Sequence, residues 1–182
     1  MEKIPKRSKV YDQYTKMCVT HLANLYALAI RLQGYHWNYT GPYFYSLHKL
    51  FEDRYKQIFK DIDRFAERIR TFGCYAPGSV YQMYKRSNAT DRAQALDLNG
   101  MLEDLLTTCE IVRSHAQETL RLGVQLDDEV TVDMLTESIE KLDHSTYLIS
   151  SSAPSKAVDM PESILQIVRT QEDMSDNGAS TH

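Results

Sequence analysis

Apolar or inward-compatible residues fall at Cys18, Leu22, Leu25, Ala29, Leu32 and His36, alternating steps of four and three. That spacing follows one face of an α-helix at 3.6 residues per turn and does not fit a strand, whose side chains change face at every residue. It predicts a helix over roughly 9 to 36, a length that packs only if its stripe is buried against other helices.

The spacing recurs three more times. Phe44, Leu47, Phe51, Tyr55, Ile58, Ile62, Phe65, Ile69 and Phe72 mark a second helix, set off by the turn chemistry of Asn38-Tyr39-Thr40-Gly41-Pro42 and closed by Gly73. Leu102, Leu105, Cys109, Val112, Ala116 and Leu120 mark another long helix. Asp127-Asp128 supplies an N-cap for the last, with its stripe at Leu135, Ile139, Leu142, Thr146 and Ile149. Between the two pairs, residues 74–98 carry Pro77, Gly78 and Asn88 around a short helical stretch from Ser79 to Lys85. Such a connection is a long crossover, not a hairpin. The expected fold class is all-α: a four-helix bundle with a short extra helix in the middle crossover.

Composition narrows the alternatives. Gly and Pro together are 12 of 182 residues, too few for a turn-rich sandwich or a low-complexity chain, and the length suits one domain. The net charge of -4 argues against nucleic-acid binding by the whole body of the domain, so any such contact needs a local patch. Three cysteines without a CxxC pair write neither a disulfide framework nor a zinc ribbon, which fits a reducing cytosol. The start, MEKIPKRSKVYDQY, lacks an apolar core, and the most apolar run, His21 to Leu32, is broken by Asn24 and Arg31, so neither a signal peptide nor a membrane span is expected. Residues 1–9 read as a flexible basic arm, 10–151 as the bundle, and 152–182 as a polar, partly disordered tail with a short helical stretch at Glu162 to Val168.

The chemistry concentrates at His36, His48, Glu52, Asp63 and Glu67, spaced H-x11-H-x3-E-x10-D-x3-E. Imidazole and carboxylate together suit a first-row metal such as Fe(II). His48 and Glu52 share a helix face, as do Asp63 and Glu67, and the step from Glu52 to Asp63 is very nearly three turns. All four therefore flank one seam, yet the two pairs stand about 16 Å apart along the axis, too far for one ion. Two antiparallel copies of the helix would bring His48 and Glu52 of one subunit opposite Asp63 and Glu67 of another, giving two equivalent sites per dimer. No Glu stands three residues before a histidine, which counts against a di-metal centre held inside one bundle by Glu-x-x-His pairs.

The segments YHWNYTGPYFYSLHKLFEDRY, DIDRFAERI and DEVTVDMLTESIEKLD resemble the DNA-protection-from-starvation (Dps) family of mini-ferritins, and the likeness spans roughly residues 10–151. The resemblance implies a ferritin-like four-helix bundle assembled as a hollow homododecamer in the bacterial cytoplasm or nucleoid. It implies oxidation of Fe(II) to Fe(III), by hydrogen peroxide or O2, at two-fold inter-subunit ferroxidase centres, with storage of ferric mineral and protection of DNA from oxidative damage. His36, His48 and Glu52 fall on the family's ligands from one subunit, and Asp63 and Glu67 on those of its two-fold partner. One departure stands out: the position of Glu52 is usually Asp, and the added methylene changes the carboxylate's reach by roughly one C–C bond. Neighbouring Asp53 points about 100° away.

Three further features carry two readings each. Trp37, with Tyr35, Tyr39, Tyr43 and Tyr45, is either an electron relay or amphipathic packing. Glu129 and Asp133 either serve the dipole of the last helix or, by the resemblance, line a three-fold iron-entry pore. Lys3, Lys6, Arg7 and Lys9 form either a solvated terminus or a DNA contact, which would be weak because twelve chains at -4 give an acidic shell. A non-enzymatic DNA-coating or structural shell protein is the alternative function, with the histidine-carboxylate cluster serving only as structural pairing.

Overall fold

The computed structural model describes residues 8–89 and 96–153. Five helices follow in order: α1 (Lys9–Asn38), α2 (Phe44–Thr71), α3 (Val80–Arg86), α4 (Leu98–Gln125) and α5 (Glu129–Ser151), with no strand among the described residues. α1 packs on α2 and α4, α4 on α5, α2 touches α5, and the short α3 lies against α1. The expected all-α bundle with its extra crossover helix is what the chain forms. No helix of the described residues is long and apolar enough to cross a membrane.

Helix starts follow local cap chemistry. Ser8, Ser79, Asp97 and Asp128 each place a side-chain oxygen on a first-turn backbone N–H. Lys9, placed with the arm by its charge, is the first residue of α1, because Ser8 caps the helix by accepting from the Tyr11 amide at 3.2 Å. Lys3, Lys6 and Arg7 lie outside the described residues, as does the stretch Glu162 to Val168. Gly73 ends α2 with φ 71°, a left-handed conformation that a side chain would strain.

The stripe of α1 is buried from Cys18 to His36, and that of α4 from Leu102 to Ala116. Two stripes need correction. Phe44 is 44% exposed and lies outside the core. On α5 the buried line runs Thr131, Leu135, Ser138, Leu142, Ser145 and Ile149, while Ile139 and Thr146 are only partly covered. The serines fit this line because their hydroxyls are served there: Ser145 Oγ donates to the Lys141 carbonyl at 2.7 Å, and Ser138 Oγ lies 3.3 Å from His21 Nε2.

Polar ties fix the helices around the core. Asp128 accepts from Tyr14 of α1 at 2.9 Å, from Arg68 of α2 at 2.5 Å and from the Thr131 hydroxyl at 2.7 Å. Burial alone would raise its carboxyl, but the Thr131 and Tyr14 hydrogen bonds and the Arg68 charge bring it below the ordinary value. At the other end, Asp104 of α4 accepts from Tyr35 at 2.8 Å and pairs with Arg31. Asn24, which interrupts the apolar run of α1, uses its buried Oδ1 to accept from the Asn88 amide at 2.7 Å and the Ser87 hydroxyl at 3.1 Å, anchoring the crossover.

Candidate metal centre

The turn between α1 and α2 brings His36, in the last turn of α1, against His48, in the second turn of α2. Their rings stack at 3.8 Å between centroids and 23° between planes. His36 Nδ1 lies 2.8 Å from the His48 carbonyl oxygen, and His48 Nδ1 lies 2.9 Å from the His36 carbonyl oxygen. A carbonyl only accepts, so each Nδ1 carries a proton and donates it. In the neutral ring this leaves Nε2 as a lone-pair donor on both histidines, the arrangement that orients a metal-binding imidazole. Tyr55 meets the His36 ring edge-on at 5.4 Å, and Phe44 stacks on His48 at 5.0 Å, which explains why Phe44 leaves the core.

Glu52, one turn after His48, is held by its own helix. Lys49 Nζ lies 2.8 Å from one carboxylate oxygen and Lys56 Nζ 2.5 Å from the other. Hydrogen bonds from Lys49 and then Lys56 hold its carboxyl down at about 2, so it is an anion whose two oxygens are each engaged by an ammonium group. Asp53 is exposed and, among the described residues, pairs only with Lys49, at 3.8 Å.

Asp63 and Glu67 are exposed on α2, one turn apart, and neither enters an ion pair among the described residues. About three and four turns of α2 separate Asp63 and Glu67 from Glu52, and no group of three or more His, Cys, Asp or Glu side chains capable of holding a metal ion forms among the described residues. The five residues read from sequence thus divide into a preformed histidine pair with a clamped glutamate, and a separate exposed acidic pair.

The other candidates are dispersed. Trp37 is 66% exposed, Tyr43 and Tyr45 are exposed, Tyr39 is buried, and Tyr35 is engaged with Asp104. Glu129 and Asp133 are exposed on the first two turns of α5, while their neighbour Asp128 is committed to the cap and to Arg68. Sequence reasoning missed Asp61, which is buried on α2 and paired with Lys141 of α5 at 2.6 Å. Lys141 also meets Glu137 at 2.7 Å, and Glu137 pairs with Arg64 at 2.7 Å. The buried acid at a position between stripe residues Ile58 and Ile62 was the available signal.

Residues 18–151 match the family model described as the ferritin-like domain. A low temperature-induced protein of Nostoc sp. is 32% identical over 132 residues, 71% of this chain and 74% of its own length. The DNA protection during starvation protein 2 of Bacillus anthracis is 26% identical over 70% of this chain and 88% of its own. Among solved structures, an archaeal Dps homologue from Halobacterium salinarum superposes with a TM-score of 0.78 at 20% identity, covering 90% of this chain and 91% of that one. The Dps of Vibrio cholerae, described as one of the ferritin-like diiron-carboxylate proteins, gives 0.74 at 23% identity, covering 78% and 89%.

Proposed function

The chain belongs to the ferritin-like family as a Dps-type mini-ferritin, and from that premise we propose that it oxidises Fe(II) and stores the ferric product in a hollow dodecamer. The observation that carries the reading is the reciprocal histidine pair: two imidazoles, each fixed by the other's backbone, with both Nε2 atoms left to bind a metal. Glu52 adds an anionic oxygen from the same chain. Asp63 and Glu67 of a two-fold partner complete the site, which accounts for the absence of a closed ligand set among the described residues of one chain.

Iron is the substrate. Carboxylates lower the cost of reaching Fe(III), and neutral imidazoles hold Fe(II) beforehand. Hydrogen peroxide takes two electrons and two protons to give two waters, so two ferrous ions oxidised together consume it without releasing hydroxyl radical. Ferric iron then hydrolyses to mineral inside the shell. DNA is protected because the Fe(II) and peroxide that would damage it are removed together, in the cytoplasm where all three meet. Glu129 and Asp133, repeated around a three-fold axis, would draw Fe(II) inward, and Trp37 stands beside His36 as a relay for a stray electron.

The test combines native mass and iron chemistry. A dodecamer of 21.0 kDa subunits has a mass of about 250 kDa. Anaerobic Fe(II) titration followed by peroxide should give one peroxide consumed per two Fe(II). Fe(II) that stays unoxidised beyond the protein-free control, on a confirmed dodecamer, would overturn the reading in favour of a non-enzymatic shell.

A further inference from the structure

A column of aromatic rings leads away from the histidine pair along the seam between α1 and α2. Tyr55 meets His36 edge-on at 5.4 Å, Phe59 lies 6.2 Å beyond Tyr55 at 82°, and Tyr26 of α1 lies 6.2 Å beyond Phe59 at 86°. All three rings are half-buried against the core. Tyr55 and Phe59 stand one turn apart on α2, and Tyr26 precedes His36 by ten residues, so the column runs about 15 Å along the bundle. Edge-to-face packing accounts for the rings, and Phe59 needs no further explanation. Two of the three nevertheless carry a phenol, a side chain that can give up an electron and a proton. Trp37 adjoins His36 in sequence but is 66% exposed, whereas Tyr55 touches the His36 ring itself.

Peroxide needs two electrons, and each Fe(II) supplies one. A centre that has taken up a single Fe(II) is therefore one electron short, a state that arises whenever Fe(II) is scarce beside peroxide. Without another donor the shortfall is met in solution: Fe(II) and H2O2 give Fe(III), hydroxide and a hydroxyl radical. A phenol in ring contact with a proposed ligand histidine is placed to supply that electron first.

We propose that Tyr55 supplies the missing electron when peroxide meets a centre holding one Fe(II), and that Tyr26 shares the resulting radical through the ring of Phe59. This rests on the iron-oxidation reading above and extends it to the half-filled centre. Hydrogen peroxide takes one electron from Fe(II), one electron and one proton from the Tyr55 phenol, and one proton from solvent. Its O–O bond breaks, each oxygen gains one O–H bond, and the products are Fe(III), a neutral tyrosyl radical and two waters. Tyr26 then passes an electron to Tyr55, and each phenol, being half-exposed, exchanges its proton with solvent. The next Fe(II) to arrive returns an electron to the radical, which takes a proton from solvent and becomes a phenol again. Consumption thus comes back to one peroxide per two Fe(II). Tyr55 acts through His36 and is not itself a ligand.

Freeze-quench electron paramagnetic resonance on the assembled full chain, made with ordinary or ring-deuterated tyrosine, tests the assignment. Protein loaded anaerobically with one Fe(II) per subunit and mixed with an equal amount of peroxide should give a tyrosyl signal that narrows on ring deuteration. A second equal portion of Fe(II) should erase it. In Tyr55→Phe, which keeps the ring and its packing, the signal should be lost and a hydroxyl-radical spin adduct should appear instead. The parent signal should be the sum of two tyrosyl species with different hyperfine splittings, of which Tyr26→Phe retains one. The control Tyr84→Phe should match the parent, and native mass should be the same in every variant. A signal unchanged in Tyr55→Phe would overturn the proposal, and so would one that ignores tyrosine deuteration and vanishes in Trp37→Phe. A single species, identical in the parent and in Tyr26→Phe, would overturn the sharing between the two tyrosines. Fe(II) oxidised without any tyrosyl signal would overturn this inference alone, whereas Fe(II) left unoxidised in the parent would overturn the iron-oxidation reading with it.

Discussion

His21 makes the bundle acid-sensitive from within. It is fully buried at the centre of α1, with Phe65 of α2 edge-on at 4.7 Å, His115 of α4 at 6.4 Å and Ser138 of α5 at 3.3 Å from Nε2. Its Nδ1 has no hydrogen-bond partner among the described residues. Burial first, and the neighbouring His115 second, push the imidazole down to about 3. The unfolded chain therefore takes up the proton first as pH falls below about 6.5, and stability drains from there downward until the folded form also protonates. At pH 5 the gap is about 1.5 pH units, or about 2 kcal/mol per subunit at 1.36 kcal/mol per unit. The perturbation is His21→Leu, which keeps the volume and removes the titration. Guanidinium unfolding at fixed protein concentration, at pH 7 and pH 5, should show the parent losing about 2 kcal/mol more than the variant over that interval. Parallel losses in the two proteins would refute the reasoning, because His21 would then be protonated in the folded state as readily as in the unfolded one.

Two further substitutions probe other ties. Asp128→Ala removes the α5 cap, the partner of Arg68 and the acceptor for the buried Tyr14 hydroxyl; denaturant unfolding should report a loss of about 2–4 kcal/mol, roughly 1 from the cap and 1–3 from the orphaned hydroxyl. Lys49→Gln/Lys56→Gln frees Glu52 from its two ammonium partners, and anaerobic titration should find Fe(II) binding several-fold tighter; equal or weaker binding would exclude Glu52 as a ligand limited by its clamp.

The fold was legible wherever a signal is local. The four stripes located the long helices, and Asp128 and the Ser79 segment marked α5 and α3, because caps and helical periods act within a few residues. The errors have a common cause. Hydropathy favoured Ile139 and Thr146 over Ser138 and Ser145, but burial on α5 follows helix geometry and the hydrogen bonds available to small hydroxyls, including the one at His21. At the candidate site, the separation of His48 and Glu52 from Asp63 and Glu67 along α2 was readable from their spacing. The mutual carbonyl bonds of His36 and His48 depend on how the turn folds back, and the lysine clamp on Glu52 depends on competing rotamers, so neither leaves a mark in residue order.

Sharing of ligands across a two-fold axis is the central claim, and subunit mixing tests it most directly. A His48→Ala/Glu52→Ala protein and an Asp63→Ala/Glu67→Ala protein should each oxidise Fe(II) slowly, since every site in either oligomer has lost half its ligands. In a mixed dimer, one site collects all the lesions while the other is intact. Random reassembly makes about half the dimers mixed, so peroxide-dependent oxidation should return to about a quarter of the parent rate if the sites act independently. No recovery, with both assemblies intact and mixing confirmed by native mass, would contradict the account.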